Sequence, residues 1–195
     1  MSRNKDLSDL TADIIKSLLV APISVAYRIT SKGKENLPKG RAILAANHTS
    51  YLDPSYLISA INPKKPIKFI AIPKKGFNLL YQITGQITLT NPHKIKEAIT
   101  LLKQERYIGY FPEGKLSRTG ELNKFKTGGA SIALRTNSPI VPIYIQGGYD
   151  QGKVIPSFLR RIEVRIGKPI QPKENMTKIK LTDLLREGIE ELSNR

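Results

Sequence analysis

The 195-residue chain has no cysteine and no tryptophan, only two histidines and two methionines, and half as many acidic side chains (16) as basic ones (32). Without thiols it can form no disulfide framework, no cysteine-containing zinc site, no thiolate nucleophile and no thioester carried on the protein itself. Any imidazole chemistry must use His48 or His93. A long apolar run is missing as well. The uncharged stretch 17–27 would span about 16 Å as a helix against a hydrocarbon core of roughly 30 Å, so it is too short to cross a bilayer. Nor does it read as a signal peptide, because Asp6, Asp9 and Asp13 precede it and no small-residue cleavage pattern is evident.

What is present is globular usage. A hydrophobic fraction of 39% with 14 Gly and 13 Pro can bury a core, which excludes disordered, collagen-like and solenoid classes. The length predicts one domain. The formal net charge of +16 favours a polyanionic partner, namely nucleic acid, an anionic lipid surface or an acidic protein. Nucleic acid is not expected, since the chain lacks RRM, KH and zinc signatures and spreads its charge without an aromatic platform.

At helical spacing, Leu7, Leu10, Ile14, Leu18, Val25 and Ile29 form one apolar stripe, with Pro22 as a kink. This stripe suits either packing on the chain's own domain or an amphipathic helix lying in a membrane interface; the basic balance favours the membrane. The expected division is an N-terminal membrane-associating helix at 1–30 and a domain at 31–195. In that domain, strand patterns at 41–45, 67–72, 86–90, 107–111, 140–146 and 162–166 alternate with helical patterns at 54–61, 76–84, 92–105, 127–135 and 177–192. The expectation is a single α/β domain whose mostly parallel or mixed sheet is flanked by helices, with its site beyond the carboxyl ends of the strands. Asp53-Pro54 and Asn91-Pro92 each place a capping side chain before a proline at the first helical position.

His48 follows the apolar strand at 41–45, and Asp53 lies five residues further on. A carboxylate that accepts from one imidazole nitrogen fixes the tautomer and leaves the other nitrogen to take a proton from an attacking hydroxyl. Asp53 is equally well explained as a helix cap. With no Cys and no nucleophile-elbow serine, the attacking hydroxyl belongs to a substrate, which gives direct transfer without a covalent intermediate. His93 sits between Pro92 and two nearby lysines and reads as a solvated surface residue. A second cluster runs Tyr110-Phe111-Pro112-Glu113-Gly114-Lys115-Leu116-Ser117-Arg118, out of a strand into a turn. A third, Lys124-Phe125-Lys126-Thr127-Gly128-Gly129, opens a helix with cations and backbone N–H groups that suit an anion.

Together these residues resemble the lysophosphatidic acid acyltransferase family of glycerolipid acyltransferases. His48 and Asp53 match its N-H-x-x-x-x-D motif, and Phe111, Pro112, Glu113, Gly114 and Ser117 match F-P-E-G-x-x-S. Val141, Pro142 and Ile143 match its V-P-I motif. The resemblance spans about 37–170. It implies transfer of a fatty acyl group from acyl-CoA or acyl-acyl carrier protein to the free hydroxyl of 1-acyl-sn-glycerol 3-phosphate, with the acyl donor as co-substrate and no resident cofactor or metal. By the same resemblance His48 is the base, Asp53 its orienting partner, and Glu113 with Gly114 part of the acceptor site. Lys115, Ser117, Arg118 and Lys126 join them as candidate acceptor contacts. Phe77, Leu80 and Tyr81, with Leu79 and Ile83, are candidates for an acyl-chain tunnel or for ordinary core. The implied partners are a lysophospholipid, the acyl donor and an anionic membrane surface on the cytoplasmic side of the cell membrane, met as a peripheral or monotopic protein.

The chain departs from the family pattern at two positions, with Asn91 and Leu116 where arginines associated with the acceptor phosphate are usual. A guanidinium suits phosphate well, so another lysolipid, or another hydroxyl or amine acceptor, stays open. So does a non-catalytic lipid- or nucleic-acid-binding role.

Overall fold

Five consecutive residues, Ala42–Ala46, are fully buried, the signature of a strand covered on both faces. In a computed structural model of the chain, which describes residues 27–63, 67–71, 87–88, 92–149 and 160–195, this strand lies at the centre of a seven-stranded sheet. The strands are β1 (Arg28–Lys32), β2 (Ala42–Ala46), β3 (Lys68–Ala71), β4 (Ile87–Thr88), β5 (Tyr107–Tyr110), β6 (Ile140–Gln146) and β7 (Arg161–Ile166). Their order is β1-β7-β6-β2-β5-β3-β4. All neighbours are parallel except β6 and β7, so the sheet is mixed.

The described helices are α1 (Asp53–Ile61), α2 (Pro92–Lys103), α3 (Gly128–Thr136) and α4 (Lys178–Ser193). Alternation along β2 sorts the core into two layers. Ala42, Leu44 and Ala46 join Tyr56 and Leu57 of α1 together with Val141, Ile143, Ile162 and Val164. Ile43 and Ala45 face the other way, onto Ala98 and Leu102 of α2, Ile132 and Ala133 of α3, and Leu181, Leu185 and Ile189 of α4. The α4 residues recur every four positions, and the helix is capped by the Thr177 hydroxyl, which accepts from Lys180 N at 3.2 Å. Both α1 and α3 stop at an asparagine in the left-handed region, Asn62 and Asn137.

The expected α/β architecture is observed, with two corrections. Ile29 does not end a helix: Arg28–Lys32 is extended and pairs residue for residue with β7, from Arg28 opposite Arg161 to Lys32 opposite Arg165. The period-two pattern of alternate residues, with Ile29 packed against the α1 layer and Arg28, Thr30 and Lys32 exposed, prevails over the helical spacing from Val25 to Ile29. The proposed division at 30/31 therefore falls inside a strand. Asp53, in turn, does not cap α1. It is itself the first helical residue, and the capping position belongs to Leu52 without a side-chain bond. The rest of the expected N-terminal helix, the expected helix at 76–84 with Phe77, Leu79, Leu80, Tyr81 and Ile83, and Asn91 lie outside the described residues. Among the described residues, no helix is long and apolar enough to cross a membrane.

Candidate active site

The loop after β2 begins with an asparagine that behaves like one more strand residue. The buried Asn47 amide accepts from Ile145 N at 2.7 Å and donates to Ile145 O at 3.1 Å, which fixes the exit of β2 against β6. His48 emerges next, at the carboxyl ends of the parallel strands. Its ring stacks on Phe111 at 4.2 Å between centroids, and Phe111 stacks in turn on Phe69 at 5.7 Å. His48 Nδ1 lies 2.9 Å from Asp53 Oδ2.

That carboxylate is fully buried, and the same oxygen also accepts from Thr49 N at 2.7 Å and Ser50 N at 2.8 Å. A helix-capping side chain would accept from N–H groups of α1 ahead of it, whereas this carboxylate accepts from the histidine loop behind it. Three donors stabilise the buried negative charge, and the charge places the proton on Nδ1. His48 Nε2 is left as the basic nitrogen, on a side chain 18% exposed. Gly148, just after β6, closes the back of this pair. A methyl group there would stand 2.6 Å from Thr49 Oγ1 and 3.1 Å from Asp53 Oδ1.

The turn after β5 holds the backbone of His48. Glu113, 2% exposed, accepts from His48 N through Oε1 at 2.9 Å, and through Oε2 from Asn123 N at 2.9 Å and Asn123 Nδ2 at 2.7 Å. Ser117 N donates to His48 O at 2.7 Å, while the buried Ser117 hydroxyl donates to Glu121 O and accepts from Gly120 N. Gly114 makes the turn with φ 63 and donates to Phe111 O at 3.1 Å. Glu113, Gly114 and Ser117, the expected acceptor contacts, stand here beside His48. Their polar groups are engaged in the frame around His48, because a buried carboxylate is retained only where donors surround it.

Lys115, Arg118 and Lys126 remain as expected cations, all exposed. The first two belong to the turn bonded to His48, and Lys126 N is tied to that turn through Pro112 O at 2.8 Å. Leu116 is half-buried between Lys115 and Ser117. Two residues of the frame escaped the sequence reading. Asn47 was visible only as the neighbour of His48, and Asn123 lies ten residues from its carboxylate with no local pattern to mark it. Tyr110 supports the frame from below: its hydroxyl donates to Lys126 O, and burial pushes its pKa up to about 12. Burial also raises the Tyr56 hydroxyl, with Tyr27 beside it adding to the shift. Among the described residues, no three His, Asp or Glu side chains are grouped to hold a metal ion.

The mixed α/β sheet holds a carboxylate-oriented histidine over its strand ends, an arrangement suited to general-base chemistry. Residues 28–146 match the family model described as Acyltransferase, and the chain belongs to that family. It is 32% identical over 162 residues to a chloroplastic 1-acyl-sn-glycerol-3-phosphate acyltransferase of Arabidopsis thaliana, covering 74% of this chain and 44% of that one. It is 33% identical over 176 residues to a 1-acyl-sn-glycerol-3-phosphate acyltransferase of Saccharomyces cerevisiae, covering 76% and 53%. The chain thus spans about half the length of these curated relatives. The crystal structure of the 1-acyl-sn-glycerophosphate (LPA) acyltransferase PlsC from Thermotoga maritima superposes with a TM-score of 0.70 at 26% identity, covering 100% of this chain and 85% of that one.

Proposed function

We propose that the chain transfers a fatty acyl group from a thioester donor, acyl-CoA or acyl-acyl carrier protein, to the free hydroxyl of 1-acyl-sn-glycerol 3-phosphate, yielding phosphatidic acid. The observation that carries this reading is the 2.9 Å contact between His48 Nδ1 and buried Asp53, which leaves Nε2 as the base. The names of the similar proteins supply the acceptor. As the hydroxyl oxygen bonds to the thioester carbonyl, its proton passes to Nε2. The tetrahedral intermediate then expels the thiolate, the carbon–sulfur bond breaks, and the imidazolium returns the proton to sulfur. Atoms balance without a protein nucleophile or a metal, consistent with a chain that has no cysteine.

The acceptor phosphate would meet exposed Lys115, Arg118 and Lys126 around the turn that frames His48. Leu116 between them is the feature that favours a second acceptor. The reaction takes place at a lipid surface, and the net charge of +16 suits an anionic one, so we place the protein peripherally on the cytoplasmic face of the membrane.

The test is thiol release from oleoyl-CoA, and separately from oleoyl carrier protein, with 1-acyl-sn-glycerol 3-phosphate, lysophosphatidylcholine, glycerol 3-phosphate or no acceptor, with mass spectrometry of the lipid. Phosphatidic acid formed only with the first acceptor supports the proposal. Turnover of a different acceptor would overturn the assigned substrate and attribute the change to positions 91 and 116. No acyl transfer from either donor would overturn the activity.

A further inference from the structure

The face of the sheet that carries α4 on β6 carries no described helix over β7 and β1. There, Arg28 and Lys32 of β1, Arg161, Glu163 and Arg165 of β7, and Gly147 just after β6 line a groove of about 650 Å³. Its one carboxylate is committed. Glu163 pairs with Lys32 at 2.8 Å and with Arg165 Nε at 2.6 Å. Arg165 is further fixed by donating to Leu192 O at 2.8 Å, at the carboxyl end of α4. Arg28 and Arg161 stand opposite each other in the strand register, both exposed, and no described carboxylate pairs with either.

Two adjacent guanidiniums that no described carboxylate neutralises suit a phosphate. The location narrows which phosphate. Because β7 runs antiparallel to β6, its first residue, Arg161, lies at the same edge of the sheet as the end of β6 and the exit of β2 to His48. Gly147 lines the groove, and Gly148 packs on Thr49 and Asp53, so two residues without side chains connect the groove to the catalytic pair. The cations, however, belong to the sheet face opposite α1, whereas His48 stacks on Phe111 in the α1 layer. The acceptor's phosphate is attached to the carbon next to the reacting one, so it must bind close to Nε2. A phosphate on the far side of the strand ends belongs to a molecule whose charged and reacting ends are many bonds apart.

We propose, resting on the acyl-transfer reading above, that this groove binds the phosphorylated nucleotide end of acyl-CoA, with Arg28 and Arg161 as its principal contacts and the pantetheine arm crossing at Gly147-Gly148. The groove's size is that of a small-molecule site. A carrier protein would need a broad complementary surface in its place.

The test compares wild type with Arg28→Gln/Arg161→Gln, with Arg28→Lys/Arg161→Lys, and with Lys39→Gln/Lys103→Gln, which removes the same charge at the opposite end of β2 and β5. The readouts are calorimetric binding of free CoA and of phosphate-free pantetheine, the KM for oleoyl-CoA and for oleoyl carrier protein, binding to anionic phospholipid vesicles, and thermal unfolding. The proposal predicts that the glutamine pair weakens CoA binding and raises the KM for oleoyl-CoA by at least about tenfold. It also predicts that the lysine pair, which keeps the charge but not the guanidinium fork, falls between wild type and the glutamine pair, and that the Lys39/Lys103 pair changes binding less than about twofold. CoA affinity unchanged in the glutamine pair, or lowered equally by both charge removals, would overturn it, as would a loss confined to carrier-protein donor or to anionic vesicles. Wild type that binds CoA through these arginines without transferring acyl groups would instead defeat the activity while leaving the site.

Discussion

Glu113 is the residue at which motif and geometry diverge most. Its two oxygens take three N–H donors from His48 and Asn123 inside the protein, which fits a part in positioning His48. Glutamine offers one acceptor oxygen and turns an amide toward the remaining donors, a mismatch worth about 1–3 kcal/mol. Glu113→Gln is therefore expected to lower the unfolding midpoint and kcat while leaving the acceptor KM within about twofold, as a positioning role requires. A variant of wild-type stability whose acceptor KM rises steeply would restore the substrate-contact role. Asp53 carries the same lesson in the other direction. An Asp before Pro reads locally as a cap, and only the folded loop, which brings Thr49 N, Ser50 N and His48 Nδ1 onto one oxygen, reveals where the carboxylate turns.

At the scale of elements, the strands whose apolar runs are bounded by turn residues were legible in the sequence. The observed β2, β5, β6 and β7 fall within one residue of their expected bounds. Helix α1 was legible through Asp53-Pro54, although its start is one residue earlier. The strand β1 was not, because five residues of alternation follow directly on a stronger helical stripe, and its pairing partner lies some 130 positions away in the chain. The His48–Asp53 pair was readable because both members belong to one short stretch of chain, whereas the frame that holds it depends on Asn123 and Ile145, which no local spacing connects to His48. Packing of α4 gives an element-scale prediction. Leu185, 1% exposed, lies between Leu181 and Ile189 against the central sheet. Leu185→Ala should cost about 2–5 kcal/mol, read as a lower midpoint in chemical denaturation. A loss below about 0.5 kcal/mol would contradict this packing.

For the molecule as a whole, the buried tyrosines set an alkaline limit to stability. The Tyr110 hydroxyl ionises at about 12 in the folded chain and at about 10 when exposed. Between those values the unfolded state releases a proton that the native state retains, so the Tyr110 contribution to stability is constant below about pH 10 and falls as pH rises toward 12. Tyr110→Phe should flatten that fall in denaturation midpoints measured from pH 8 to 12, and an unchanged slope would show that Tyr110 is not the linked group. Near neutrality the tyrosine is protonated in both the folded and the unfolded chain, so it adds no pH dependence there.

The central claim is that His48 Nε2 takes the proton from the acceptor hydroxyl. The most direct measurement is thiol release by wild type and His48→Ala, side by side, with 1-acyl-sn-glycerol 3-phosphate and the thioester donor that wild type uses, on samples matched for thermal unfolding. The account predicts that the variant folds and loses at least about a hundredfold in turnover. Turnover close to wild type in a folded His48→Ala protein would contradict it.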